Sequence, residues 1–391
     1  MTRGEPGPVG SVGAGENVQG PVNATKRPVV RRWGQIGAML VGFGTSALVV
    51  AAGLGVSAGV QASLLGLVLA ILPLGVVVPA FLWLDRFEAE PKRMLLFTFA
   101  WGALVAAAGA LVINTTSVLV LRTIVPDGLT VGTVVVAPIV EESLKGLAVL
   151  IIAIWRRAQF DGIVDGMVYG GISAAGFAFA ENILYLGRAF NEQGGEGLAA
   201  VFFMRAVLAP FAHPVFTICT GIGLGIAVTT RRPARRIVAP VVGLVLAIVL
   251  HATWNLSAVA NNNGFLVLYA FLQIPIFAGA VGLAVWARRR EGRLIGEQLT
   301  RYAAAGWLSY AEVRMLSSMR ERRQARVWAK FNGGRSGLRA MEAFQDAASE
   351  LAYLRMRVQR GAGESTAPAT ERRLLMSVAT RRLEFIGSPA S

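Results

Sequence analysis

Residues 134–154 read VVVAPIVEESLKGLAVLIIAI, an apolar run whose polar content is Ser143 and three charges, Glu141, Glu142 and Lys145. About 20 apolar residues span a bilayer as a helix, so without the charges this is an ordinary membrane span. An ionised carboxylate is costly in hydrocarbon and marks a functional site by default. Glu141 and Lys145 stand four apart with the acid N-terminal, the favoured order for a helical ion pair. Glu142 is rotated by about 100° from Glu141, so the two acids are expected to face different neighbours. A structural ion pair then accounts for Lys145 and one acid only.

Composition agrees with a membrane location. Of 391 residues, 54% are hydrophobic and 16% charged, against about 25% charged in soluble domains. The mean hydropathy is +0.55, and the chain reads as polytopic and all-α. One cysteine, Cys219, excludes an internal disulfide and any cysteine-rich metal centre, and it reads as a packing residue. Of the net charge of +15, residues 287–391 carry +10, from 20 Lys and Arg against 10 Asp and Glu. A basic tail beside a membrane is attracted to anionic lipid. No nucleic-acid motif is visible, and no nucleic-acid partner is expected.

Eight runs are long enough to span: 33–56, 62–84, 94–113, 133–155, 166–186, 203–228, 237–256 and 264–286. Residues 114–129 are partly apolar but carry Arg122 and Pro126, and read as an external loop or surface-lying segment. Lys and Arg concentrate on the cytoplasmic side of membrane proteins. Here the N-terminal tail, Arg86, Lys92, Arg93, Arg156, Arg157, Arg231, Arg232, Arg235, Arg236 and Arg288–Arg290 all fall on one side. The other side holds Arg122, Arg188 and the uncharged turns at 57–61 and 261–264. A multi-pass cell-membrane protein with both termini cytoplasmic follows. Three parts are expected: a disordered basic tail over 1–32, a membrane domain over 33–286, and a small helical cytoplasmic domain over 287–391. In that last part Leu338, Met341, Phe344, Ala348, Leu351, Leu354 and Val358 recur at three- and four-residue steps, as on an amphipathic helix. Gly333, Gly334 and Gly337 mark a break before it, and 361–370 reads as a flexible linker.

Three further polar clusters lie in apolar runs: FAFAEN at 177–182, HPVFT at 213–217, and HATWN at 251–255. Phe177 and Glu181 share a helix face, as do His251 and Asn255. Singly, each reads as an interhelical hydrogen bond worth about 1 kcal/mol. Together, Glu141, Glu142, Glu181, His213, His251, Asn182 and Asn255 occupy four consecutive spans, more buried polarity than packing requires. At 1.5 Å per residue, Glu181 and His251 lie a few residues from the external helix ends, and Glu141 and His213 about ten residues in, so the four are placed to meet in the outer half. Such a set suits hydrolysis. A buried carboxylate can take a proton from water, and His and Asn can donate to an oxyanion. Two imidazoles and a carboxylate (His213, His251, Glu181) also form the ligand set of a hydrolytic zinc site. A carrier or ion pathway, and a non-catalytic scaffold, are the alternatives on these residues alone. Asp161 and Asp165, beside Gly162 at a helix start, read as a cap.

On EESLK (141–145), FAFAEN, His213 of HPVFT and HATWN, with DGIVDGMVYG (161–170) and LDRFEAEPKR (84–93), the chain resembles the PrsW family of bacterial intramembrane proteases. That family is distantly similar to the CAAX prenyl endopeptidase and bacteriocin-processing membrane proteases. The resemblance covers roughly 84–255. It implies that Glu141 activates water, that Glu142 is held by Lys145 or assists, and that His251 with Asn255 matches an oxyanion-binding HxxxN. Where the CAAX-type relatives have FxxxH, this chain has Glu181, and His213 would supply the imidazole. The implied substrates are single-pass membrane proteins, such as anti-sigma factors, cut near the external face. The resemblance leaves a metalloprotease and a glutamate-type protease both open.

Overall fold

A backbone in hydrocarbon must satisfy its own N–H and C=O groups, and a long apolar run does so as a helix. The computed structural model describes residues 29–157, 160–259, 262–359 and 366–386, and among these there is helix and turn but no strand. Met1–Gly42 and Phe43–Ser391 form two units. Within the first, only 29–42, the opening turns of α1, are described. The rest of the tail expected over 1–32, residues 1–28, lies outside the described residues, and 29–32 are already helical.

The membrane part runs α1 (Val29–Leu84), α2 (Lys92–Ile124), α3 (Ala137–Trp155), α4 (Ile163–Phe202), α5 (Ala212–Thr229) and α6 (Pro233–Val259), followed by α7 (Ile274–Ala304). Among the described residues, five helical stretches are long and apolar enough to cross a membrane: Gly37–Leu84, Lys92–Ile124, Ile163–Thr229, Pro233–Val259 and Gly264–Ala304. The chain is thus multi-pass. The quoted stretch, with its three charges, is not among the five.

Breaks fall where the sequence permits them. α1 kinks at Gly59, with φ 72°, inside the turn expected at 57–61; glycine has no Cβ to oppose that conformation. Three expectations change. Of residues 114–129, read as an external loop or surface-lying segment, 114–124 are helical, the continuation of α2 with Arg122 in its last turn. Residues 203–228 are not one continuous helix: a π-helical turn, Phe203–Leu208, ends at Ala209, and α5 begins only at Ala212. Pro210 lacks the N–H that would continue the ladder. α4 is also longer than expected, reaching Phe202 through a kink at Gly194, so Glu181 sits in mid-helix rather than near its end.

Small residues let the central helices touch backbone to backbone, the usual device where hydrocarbon removes any hydrophobic drive between helices. Gly166 on α4 and Gly221 on α5 face each other so closely that a Cβ on either would run into the other's carbonyl oxygen. Gly243 on α6 approaches the Cys219 carbonyl in the same way. α4, α5 and α6 are thereby held side by side with their polar residues facing inward.

Beyond α7 come α8 (Tyr310–Ser317), α9 (Met319–Gln359) and α10 (Ala367–Ile386). Of the expected amphipathic set, Met341, Phe344, Ala348, Leu351 and Leu354 are buried in one apolar cluster with Ile295, Leu299 and Leu316, whereas Leu338 is half-buried and Val358 exposed. The expected break is a single kink at Gly334. Of the linker expected over 361–370, residues 361–365 lie outside the described residues, and Ala367 onward is helical, because Ala367, Leu374 and Val378 join that cluster.

The turn between α1 and α2 joins these C-terminal helices to the membrane part. Arg322, 1% exposed, donates to the Phe87 carbonyl at 3.3 Å, the Leu316 carbonyl at 2.7 Å and Ser349 at 2.6 Å. Glu90 donates its N–H to Asp85 Oδ2 at 2.8 Å and accepts from Tyr169 at 2.6 Å. Burial pushes the Asp85 carboxyl up to about 8, opposed by the Glu90 N–H and reinforced by Asp165. Burial, then the charge of Asp165, pushes Glu90 up to about 10. Asp165 does serve as the cap expected of it, accepting from the N–H groups of Asp161 at 2.7 Å and Gly162 at 2.8 Å. Asp161 pairs with Arg357 at 2.6 Å.

Candidate active site

α3 supplies the acids. A π-helical turn, Gly132–Val136, precedes it, and the helix is pegged by Trp101 donating to the Leu144 carbonyl at 3.0 Å and Ser173 to the Lys145 carbonyl at 3.0 Å. Glu141 (5% exposed), Glu142 (0%) and Lys145 (0%) all point into the protein.

The two acids do not face different neighbours. Lys145 is long enough to reach back to both: its Nζ lies 2.6 Å from Glu142 Oε1 and 3.9 Å from Glu141 Oε2. His251 likewise meets both, with Nδ1 2.9 Å from Glu142 Oε1 and Nε2 3.7 Å from Glu141 Oε2. The closer partner of Lys145 is therefore Glu142, not Glu141. Glu142 Oε2 accepts from Thr217 at 2.7 Å, so both its oxygens are engaged. Glu141 differs: Oε1 accepts from Asn114 at 3.1 Å, while Oε2 is buried with no hydrogen-bond partner.

His213 opens α5, where the break at 209–211 lets its ring turn inward. Its Nε2 lies 2.8 Å from Glu181 Oε2, and its Nδ1 3.3 Å from Lys145 Nζ. The His213 and His251 rings meet edge to face at 5.0 Å, with Phe216 stacked on His251 and Phe177 against His213. Glu181 also pairs with Arg205, whose Nε donates to Asn182 Oδ1 at 2.6 Å. Asn255 shares α6 with His251, but its amide donates to the Thr133 carbonyl at 2.8 Å rather than meeting the imidazole.

Glu141, Glu181, His213, Asn255, Asn114 and Arg205 line one cavity of about 370 Å³, within the usual range of ligand pockets. Its remaining walls are largely apolar, from Val50, Leu54, Leu111, Val118 and Phe177 among others. Three neighbours of the site escape a reading by motif. Asn114 falls in the segment read as a loop. Thr217 stands inside HPVFT, yet a hydroxyl in a helix more often bonds its own backbone. Arg205 carried a signal that could have found it, a lone arginine inside an apolar run.

A divalent ion such as zinc fits this donor set. Glu141, His213 and His251 each offer one ligand atom, all within 4.8 Å of one another. Glu141 Oε2 is the orphaned acceptor, and His251 turns its other nitrogen to a carboxylate, the backing typical of metal-binding imidazoles. Glu181, the carboxylate read with these imidazoles from the sequence, lies beside His213 and pairs with Arg205.

Comparison with known proteins bears on the chemistry. Residues 90–280 match the model of the "PrsW family intramembrane metalloprotease". The chain is 29% identical to Protease PrsW of Bacillus subtilis (strain 168) over 210 residues, 54% of this chain and 88% of that protein. It is 33% identical over 159 residues to Protease PrsW of Clostridioides difficile (strain 630), covering 39% of this chain and 62% of that protein. With Protease PrsW of Shouchella clausii (strain KSM-K16) it is 30% identical over 153 residues, covering 39% and 64%. No solved structure matches the chain.

Proposed function

We propose that this chain, which belongs to the PrsW family of intramembrane proteases and is a peptidase, cuts a single-pass membrane protein at the cavity lined by Glu141, His213 and Asn255. The observation that carries this reading is the free oxygen of Glu141. In a fully buried carboxylate pair, one acid is tied by Lys145, Thr217 and His251, and the other keeps an oxygen without a partner beside two imidazoles.

Each residue has a role on this reading. Glu141 takes a proton from the attacking water and passes it to the leaving amine. Asn114 holds its other oxygen, so the free one keeps its direction. Glu142 accepts from His251 Nδ1, which leaves the Nε2 lone pair turned toward Glu141. One N–H of Asn255 is bonded to Thr133, and the second is the donor for the oxyanion. On the metal arm, Glu141, His213 and His251 would instead hold a divalent ion, the free oxygen of Glu141 then serving as a ligand and not as the base. When bound it supplies a Lewis acid for the scissile carbonyl and lowers the pKa of water.

The finer topology belongs to the same proposal. Eight spans follow if α1 crosses twice about Gly59 and α4 turns back near Gly194, with both termini cytoplasmic, 33–286 as the catalytic unit and 287–391 as a helical appendage. The site then lies toward the external face, which suits an anti-sigma-factor-like substrate. The basic stretch 287–391, with its net charge of +10, suits anionic lipid.

The test is cleavage by the purified protein of single-span polypeptides carrying quenched fluorophores, co-reconstituted in nanodiscs. Glu141→Gln is expected to abolish it while the protein still elutes as a folded species. Loss on chelation, restored by zinc, supports the metal arm. Chelator-resistant cleavage together with a dead Glu141→Gln leaves acid–base chemistry alone, and cleavage by Glu141→Gln removes Glu141 from the site.

A further inference from the structure

We infer that Arg205 is a positioning residue that acts through Glu181 to set which nitrogen of His213 faces the reacting centre; this rests on the peptidase reading above.

The guanidinium of Arg205 grips two consecutive side chains of α4: it pairs with Glu181 Oε2, and its Nε donates to Asn182 Oδ1 at 2.6 Å. A planar fork can hold two acceptors in one orientation, which a lysine cannot do. Tyr185, one turn further along α4, lies under the same guanidinium at 4.4 Å. Glu181 is thus fixed from one side by a cation that is itself held at two further points, Asn182 and Tyr185.

The same oxygen, Glu181 Oε2, lies 2.8 Å from His213 Nε2. A carboxylate oxygen already receiving a guanidinium is an acceptor, so Nε2 carries the proton. His213 Nδ1 then bears the lone pair, consistent with the Lys145 ammonium 3.3 Å away. That nitrogen points toward Lys145, whose Nζ lies between Glu141 and Glu142. Without Arg205, Glu181 is free to turn into the cavity it lines, and the imidazole loses the partner that chooses its tautomer.

Chain geometry explains how Arg205 reaches this place. It sits in the π-helical turn Phe203–Leu208, eight residues before His213, and the break at 209–211 folds the two back onto one face of α4. Inserted π turns commonly re-aim a side chain at functional sites. Neither Glu181 nor Asn182 has another cation bonded to it among the described residues.

The experiment is steady-state cleavage of the same nanodisc-borne polypeptide by Arg205→Gln, Arg205→Lys, Arg205→Ala, Glu181→Gln and Glu181→Gln/Arg205→Gln, with elution and melting checked for each. Losing a partner of this kind typically costs about 10–100-fold, so Arg205→Gln is expected to lower kcat by that factor with KM little changed. Arg205→Lys should recover only part of it. The double variant should be no slower than Glu181→Gln, and guanidinium in the buffer should raise kcat of Arg205→Ala. A raised KM with normal kcat would make Arg205 a substrate-holding residue and overturn the inference. So would losses that multiply in the double variant, or full activity in both Arg205→Gln and Arg205→Lys. If the alanine variant does not fold, Arg205→Lys carries the same comparison. Cleavage by Glu141→Gln would sink the peptidase reading itself, a result separable from all of these.

Discussion

His251 Nδ1 lies 2.9 Å from Glu142 Oε1, and that same oxygen is 2.6 Å from Lys145 Nζ. A single carboxylate oxygen thus orients an imidazole from α6 and neutralises an ammonium from its own helix, with all three side chains almost fully buried. Glu142 is in this sense the hub, and Glu141 the acid left available.

Removing one partner from a buried ion pair leaves an uncompensated charge and typically costs about 3–5 kcal/mol. Lys145→Met is therefore expected to lower stability by about that amount. Lys145→Met with Glu142→Gln should recover most of the stability but none of the activity. Thermal unfolding in detergent, read beside cleavage, checks both; an unchanged melting point for Lys145→Met would show that the pair is not what holds α3 in place.

On the proposed role, Asn255→Ala would remove an oxyanion donor, a change that in other hydrolases lowers kcat by about 10²–10³. The same loss is expected here, with KM nearly constant. If KM rises while kcat holds, Asn255 binds substrate and does not stabilise the transition state.

Gly221→Ala places a Cβ against the Gly166 carbonyl. Overpacking of a tight contact costs about 1–3 kcal/mol, and here it also separates His213 on α5 from Glu181 on α4. Reduced melting temperature and reduced activity together are expected. Gly279→Ala, where a Cβ would meet open space, is the control.

The α1–α2 turn is expected to weaken as pH rises. Asp85 is raised to about 8 and Glu90 to about 10 in the folded protein, chiefly by burial, whereas unfolded carboxyls titrate near about 4. The folded state therefore holds protons that the unfolded chain has already released. The stability they lend is full below about pH 4, declines as pH climbs through about 8 for Asp85 and about 10 for Glu90, and is gone above. Hydrogen exchange over residues 85–91 and melting against pH should both show this slope. Asp85→Asn should flatten its lower part, and an unaltered slope in that variant would refute the assignment.

Much of this was legible in the residues. Apolar length settles helix and membrane because hydrocarbon leaves the backbone no other partner. Acids and histidines inside such runs announce a site because nothing else justifies their burial there. The motif residues Glu141, Glu181, His213 and Asn255 do line one cavity, and His251 stands beside Glu141. What periodicity could not supply is the reach of long side chains: helical angle alone separates Glu141 from Glu142, while Lys145 and His251 reach both.

The linear order of residues thus determined the class of the molecule, the helices that carry the chemistry and the identity of the acids and imidazoles, since each depends on local hydropathy and spacing. Only the tertiary structure decided which acid is tied and which is free. It alone brought Asn114 and Arg205 to the site, and it set Glu141 near both imidazoles while Glu181 pairs with His213 and Arg205. Those choices rest on distances between groups up to about a hundred residues apart, set by glycine-close packing of α4, α5 and α6, and no local pattern contains them.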